Sequence, residues 1–288
     1  METRQTIRNR MKSIEGTRQI TRSMRLVSIA KMQKAREAMD RNLPFLKESL
    51  RLASAAKSCL HGEKHPYLND RPKKVTLMVV MSGDRGLCGG FNAAIIRYAQ
   101  AHLETLGHDA KVITIGAKAS DAFRRRQQYR QLASYRGLTD APIYAEAEEI
   151  AAQIRGLYDT GEVDQALLCY TQFTSMLVQH PCILRLLPVE VPEDRYAPLA
   201  YEPEGTEILE QIVPFYLASR IYGALLESSL SEQSARVLSM DGAVRTAGEM
   251  IQSLNIRYNK ARQGVITQEI TEIVAGADAS AVEGENSL

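Results

Sequence analysis

The sequence predicts an α/β protein in which two long terminal helices pair as a coiled coil beside an open, mostly parallel α/β domain. Three observations carry this reading. From about Thr206 to Val274, Ile251, Leu254, Tyr258, Ala261 and Val265 recur at alternating steps of three and four, followed by Ile266, Ile270 and Ile273. That is the narrow seam of a coiled coil, not the broad apolar face of a globular helix. Residues 4–58 carry the same four-and-three spacing, and between Pro72 and Pro203 strand-like runs alternate with helical ones.

In the N-terminal helix, Ile7, Met11 and Ile14 set the seam, and Ile20, Met24 and Val27 repeat it after a gap. Proline is absent until Pro44, and Gly16 is the only interior glycine. Arg4, Arg8 and Lys12 line the solvent side, continued by Arg18, Arg22 and Arg25. Like charges at this spacing cost an isolated helix a few tenths of a kcal/mol per pair, so an acidic partner outside the helix is expected. The C-terminal helix would run on the order of 90–100 Å at ~1.5 Å per residue, and a rod of that length needs a partner. Pro214 either kinks it or restarts it as a first-turn residue.

His61 to Pro66 and Asn69 to Pro72 form a turn-rich break. His61 and His65 lie there without a matching ligand pair, which argues against a metal site. Beyond it come a buried strand at Val75–Met81, a helix to about Leu106, and a strand at Lys111–Ile115. A helix from Lys118 to about Arg126 and a strand near Tyr129–Tyr135 follow. A helix from Ile143 to Tyr158 then leads to strands at Val163–Thr171 and Cys182–Pro188. The glycine-rich run Ser82 to Asn92 stands between the first strand and its helix, where phosphates bind in nucleotide folds. It fits neither GxGxxG nor GxxxxGK[ST], so it reads as a tight turn that lets the helix pack on the sheet. Cys88 in that loop has no sequence-linked histidine to activate it.

Residues 1–60 hold fourteen Lys/Arg against five Asp/Glu, a net +9, and the remainder of the 288-residue chain is −7. A basic arm beside an acidic body favours an anionic partner. The four cysteines (Cys59, Cys88, Cys169, Cys182) lack zinc or redox spacing, which fits a reducing compartment. No apolar run approaches the ~18–20 residues of a membrane span. The helical pattern runs past Ala38 without a processing-like break, which counts against a mitochondrial presequence and for a bacterial source.

Thr17 to Met32, the run Asp84-Arg85-Gly86-Leu87-Cys88-Gly89-Gly90-Phe91-Asn92, Ser231 to Arg236, and Tyr258 to Ile273 closely resemble the gamma subunit of F-type ATP synthases, in order along almost the whole chain. The resemblance implies an antiparallel, left-handed coiled coil of residues 1–60 and 206–275, a Rossmann-like α/β foot at 73–195, and a flexible tail at 276–288. It implies a non-catalytic central rotor shaft without a cofactor. The shaft would stand in a ring of alpha and beta subunits, seated with epsilon on the c ring, with no nucleic-acid partner and only indirect membrane contact. By position in the matched motifs, contacts with beta subunits fall on Met24, Arg236, Arg262, Gln263, Thr267 and Glu269. Gly86, Leu87, Cys88, Gly89 and Gly90 are candidates for epsilon or c-ring contacts. Asp241 to Ala247 departs from the small and polar run usual in the family. The implied location is the cytoplasmic side of a bacterial plasma membrane. Rival readings are a nucleotide-dependent enzyme on the α/β domain and a basic coiled-coil nucleic-acid binder, the latter disfavoured because Phe45 is the arm's only aromatic residue.

Overall fold

Val75–Met81 (β1) is a run of apolar and β-branched residues, and every position but the first is buried, as expected of a strand covered on both faces. Around it the computed structural model, which describes residues 3–59, 65–126, 128–190 and 205–285, builds a five-stranded sheet. The strands β2 (Asp109–Ile115), β3 (Arg130–Tyr135), β4 (Gln165–Phe173) and β5 (Gln179–Leu187) take the order β3-β2-β1-β4-β5. All pairings are parallel except β4 with β5, a hairpin in which Tyr170 faces Cys182. The expected strands are all present. β5 begins earlier than the sequence indicates because its polar start, Gln179 and His180, pairs with Gln172 and Phe173.

Helices α2 (Phe91–Thr105) and α3 (Ala117–Arg124) cover one face of the sheet, burying Ile95, Ala99 and Phe123 against Met78, Val80 and Val112. On the other face, α4 (Tyr144–Asp159) and the early part of α5 (Gly205–Glu285) meet Leu77, Val79 and Leu168 through Ile150, Ile154, Tyr216 and Leu217. Gly116 joins β2 to α3 at φ 93°, where a Cβ would overlap the carbonyl oxygen of Ser82 at the end of β1. The strand ends of β1 and β2 can approach this closely only because residue 116 has no side chain.

The chain packs as two compact units, one of residues up to Arg25 with those from Met240, the other of residues Leu26–Ser239. In the second, α1 (Arg4–Cys59) and α5 run close enough that a Cβ at Gly223 would lie 3.4 Å from the Asn42 amide nitrogen. In the first, Arg25 donates to Asp241 at 2.6 Å, and a Cβ at Gly248 would lie 3.9 Å from Arg18. These two pairs share one antiparallel register.

Three expectations about the helices are corrected. The buried or half-buried line along α1 is Ile7, Met11, Ile14, Arg18, Thr21, Arg25, Ser28, Met32 and Ala35, an unbroken four-and-three heptad. Ile20 and Val27 fall off it and are 64% and 56% exposed, while Arg18 and Arg25, placed by charge on the solvent side, sit in the seam. The periodicity of the backbone overrides the polarity of individual residues. Of the two expectations for Pro214 only the restart is corrected: like Pro44, Pro214 lies inside a continuous helix and is not a first-turn residue. The helix also runs on to Glu285, past the expected end at 275. His61 and most of the Pro188–Pro203 connection lie outside the described residues.

Gly116→Ala is expected to lower the stability of the chain by more than the ~1–3 kcal/mol of backbone strain alone, because the added methyl also displaces Ser82. Urea unfolding followed by circular dichroism reads this as a lower midpoint at unchanged slope.

Candidate functional site

In an open α/β sheet, ligands bind beyond the carboxyl ends of the strands where the strand order reverses. Here that point lies at the end of β1, between β2 and β4, and the loop Ser82–Gly90 leaves from it. The loop is held from below. Asp84 accepts from the backbone N–H of Ala117 (2.9 Å) and of Gly137 (3.0 Å), and from the Thr139 hydroxyl (3.0 Å). Asn92 accepts from Gly83 N–H at 2.7 Å and donates to the Arg85 carbonyl at 3.1 Å.

The crevice above the loop is filled by α5. The Glu232 carboxylate sits where a Cβ on Gly83 would lie, 2.7 Å from its nearest atom. Arg236 donates to Glu232 at 2.5 Å, to Gln233 Oε1 at 2.9 Å, and to the Gly86 carbonyl at 3.2 and 3.3 Å. Burial pushes the Glu232 carboxyl above its ordinary value, and the adjacent Arg236 guanidinium opposes the shift. Next to this pair, Lys31 of α1 and Arg85 of the loop converge on Asp140 at 3.0 and 3.5 Å. Farther along α5, Glu227 accepts from Phe173 N–H at 3.0 Å, and the Ser231 hydroxyl donates to the Thr171 carbonyl at 3.3 Å. α5 is thus stitched to the ends of both β1 and β4. A carboxylate occupying the crevice repels phosphate, so the nucleotide-enzyme reading has no seat in this fold.

Of the residues assigned to beta contacts, Arg236 is corrected. It is 6% exposed and its donors are taken up within the chain, so it anchors α5 and offers no surface to a partner. Cys88 is likewise buried, with its thiol pushed up by desolvation and accepting from Asn92. A thiol shifted in that direction is a poor nucleophile at neutral pH. Gly86, Leu87, Gly89 and Gly90 are exposed, Leu87 at a positive φ of 63°. Met24 is half-buried, while Arg262, Gln263, Thr267 and Glu269 are exposed on α5, where Thr267 donates to the Gln263 carbonyl. The α1–α5 register sets Arg4, the first residue of α1, near Ala261, and Val265, Ile266, Ile270 and Ile273 beyond it are exposed among the described residues. Arg262, Ile266, Glu269 and Ile273, spaced four, three and four, lie along one side of that helix. Sequence reasoning missed Glu232, Asp84, Asp140 and Lys31. The Glu–Arg pair at i, i+4 was visible in Ser231 to Arg236, but an i, i+4 pair ordinarily signals a solvated surface.

These groups bind and brace. Fold and site define a protein of long paired helices anchored in an α/β sheet whose ligand crevice is closed by its own helix. Comparison with known proteins agrees. The sequence profile of the ATP synthase family matches residues 3–279. The ATP synthase gamma chain of Pelotomaculum thermopropionicum is 41% identical over 277 residues, covering 95% of this chain and 97% of that one. That of Anaeromyxobacter is 39% identical over 284 residues, with 95% and 97% covered. Similar solved structures include the central stalk and c ring of the Tetrahymena thermophila mitochondrial ATP synthase (TM-score 0.60, 24% identity, 78% and 99% covered). A chain in the OSCP, F1 and c-ring structure of the Euglena gracilis mitochondrial ATP synthase gives TM-score 0.67 at 18% identity, with 96% and 94% covered. The chain belongs to the ATP synthase gamma chain family.

Replacing Arg236 with Met leaves Glu232 buried beside no cation and is expected to cost about 3–5 kcal/mol. Adding Glu232→Gln should recover a large part of that loss, and denaturant unfolding of both variants measures it. The single variant should weaken further as pH rises from acid to neutral. A carboxyl whose folded value lies above its unfolded one contributes stability below the unfolded value and loses it as it ionises.

Proposed function

We propose that the chain is the central rotor stalk of an F-type ATP synthase, a non-catalytic subunit coupling ion flow through the c ring to ATP synthesis or hydrolysis. The observation that carries this reading is the bracing of α5 by the sheet. Glu227, Ser231, Glu232 and Arg236 fix one stretch of the helix to two strand ends, and the same helix continues to Glu285. A turning force applied to the sheet therefore enters α5 through several polar contacts and a packed apolar face. It does not depend on a single hinge.

In this reading residues 1–60 and 206–275 are the shaft, 73–195 is the foot, and 276–288 the C-terminal tail. One asymmetric shaft inside three equivalent catalytic units touches each differently, so each holds a different affinity for nucleotide. Only contacts that differ between those states couple rotation to chemistry; uniform grip contributes nothing. Ile20, Leu26 and Val27 on α1 and Val265, Ile266, Ile270 and Ile273 on α5 give the shaft apolar exterior patches for the surrounding alpha and beta subunits. Arg262, Gln263, Thr267 and Glu269 supply its polar contacts, with Arg262 directed to acidic loops of beta, and Met24 supplies an apolar contact. The exposed Gly86, Leu87, Gly89 and Gly90 serve contacts with epsilon or the c ring. Among the described residues no helix is long and apolar enough to cross a membrane. In this reading the subunit is peripheral, held at the cytoplasmic face of a bacterial plasma membrane through its partners.

Arg262→Ala in a reconstituted complex with alpha and beta subunits is expected to lower ATP hydrolysis roughly ten- to a hundredfold, the scale of one charge-assisted hydrogen bond of ~1.5–3 kcal/mol. The helicity of the isolated chain should be unchanged, since Arg262 is exposed. Full activity in the variant would remove Arg262 from the coupling set. Calorimetric titration of the purified chain with ATP should show no saturable binding, because Glu232 holds the crevice.

A further inference from the structure

A cavity of about 460 Å³ lies between α2, the β4–β5 hairpin and α5. Phe91 and Ala94 of α2, Pro181 of β5, and Ala235 and Leu238 of α5 give it apolar walls. Thr171 of β4 lines it as well. Two residues earlier, Cys169 belongs to the apolar cluster that includes Ile95 and Ala99 of α2, so by alternation the Thr171 side chain also faces α2. Thr171 is 3% exposed, and its hydroxyl is buried with no hydrogen-bond partner among the described residues. A buried donor left unpaired is costly, and a native fold ordinarily completes it with a ligand or an ordered water.

Two features make one end of the cavity positive. Arg97 lines it; its Nε donates to the Ala93 carbonyl of its own helix, and its guanidinium makes no ion pair among the described residues. Gly89 and Gly90 line it at the N-terminus of α2, where no side chain caps the helix and no acidic residue stands in the first turn. The positive end of the helix dipole is therefore uncompensated there. Glu232 and Arg236 project from a neighbouring side of α5 and answer each other, so they add no net charge. A single unpaired cation among the described lining residues, a free hydroxyl and apolar walls fit a singly charged ligand with a hydrocarbon body. We propose that this cavity binds a small monocarboxylate carrying a short apolar chain. The carboxylate accepts from the Thr171 hydroxyl and the Arg97 guanidinium, and the chain lies along Phe91, Pro181 and Leu238. The volume falls in the ~300–1,000 Å³ range of small-molecule sites, which pair apolar walls with a few placed polar groups. A dianion such as phosphate finds no second cation here and leaves the apolar walls unused. The site does not depend on the rotor reading.

The test is a ligand-observed NMR titration of the full chain with hexanoate, beside hexanol and inorganic phosphate. Hexanoate is expected to saturate at millimolar concentration and the other two to bind more weakly. T171V and R97Q should each weaken hexanoate about tenfold or more, the loss of one hydrogen bond to a charged group. Urea unfolding of free T171V supplies a second reading. Replacing an unpaired hydroxyl with a methyl of the same shape should leave the midpoint unchanged or raise it. The proposal is overturned if hexanoate does not saturate, if hexanol or phosphate binds as well, or if either variant binds hexanoate like the parent. A lowered midpoint in T171V also overturns it, because the hydroxyl is then already paired in the free chain and water is the occupant.

Discussion

A buried carboxylate and guanidinium, Glu232 and Arg236, hold the long C-terminal helix against the loop at the end of β1. Taking either charge out of water alone costs several kcal/mol, so each requires the other, and both require the acceptors and space the loop provides. Several local features follow. Gly83 has no side chain because the carboxylate stands in its place, and the Gly86 carbonyl turns outward to meet the guanidinium. Asp84 takes three donors from beyond β2, which keeps the loop from following α5 if the helix twists. The crevice that receives a nucleotide in related folds becomes a bracket for a helix.

The α1 seam has a different character. Arg18, Thr21, Arg25 and Ser28 take positions that in a self-sufficient coiled coil would be leucine, isoleucine or valine. The Arg25–Asp241 pair is partly exposed and contributes on the order of ~1 kcal/mol or less. Meanwhile Ile20, Leu26 and Val27 lie outside the seam. Such a pair of helices grips itself weakly and presents apolar surface outward, the reverse of an isolated rod. Its cohesion would be completed by whatever surrounds it, as the proposed place inside a ring of subunits requires.

The sequence reading was strongest where the chemistry is local and periodic. Strand β1, the alternation of helices and strands, and the two long helices are legible because apolar spacing and turn residues act within a few positions of one another. The seam of α1 was misplaced because Ile20 and Val27 look like core by composition, and only the partner helix decides which line is covered. Arg236 was read as a surface contact for a related reason. Its burial depends on Gly83 and Gly86, some 150 residues earlier in the chain, and no periodicity reports that distance. Arg262, Gln263, Thr267 and Glu269, singled out by motif as beta-subunit contacts, are exposed. Ile266, Ile270 and Ile273, by contrast, were read as seam from their spacing and are exposed among the described residues.

The placement of proline along the long helices follows the same physical logic. Each proline inside a helix removes an i→i−4 hydrogen bond and pushes against the preceding turn, a local weakness of about 3 kcal/mol. Pro44 and Pro214 are the two inside α1 and α5, and both fall in the unit that contains the sheet. There Val213, Tyr216 and Leu217 pack into the core on either side of Pro214, so the missing bond is bridged by tertiary contacts. From Met240 onward α5 contains no proline, and neither does α1 before Arg25. In those stretches a helix has only one other helix, or none, to support it, and its own backbone ladder must carry any bending or twisting load. A rod that transmits torque can tolerate a break in its ladder where a sheet braces it and nowhere else.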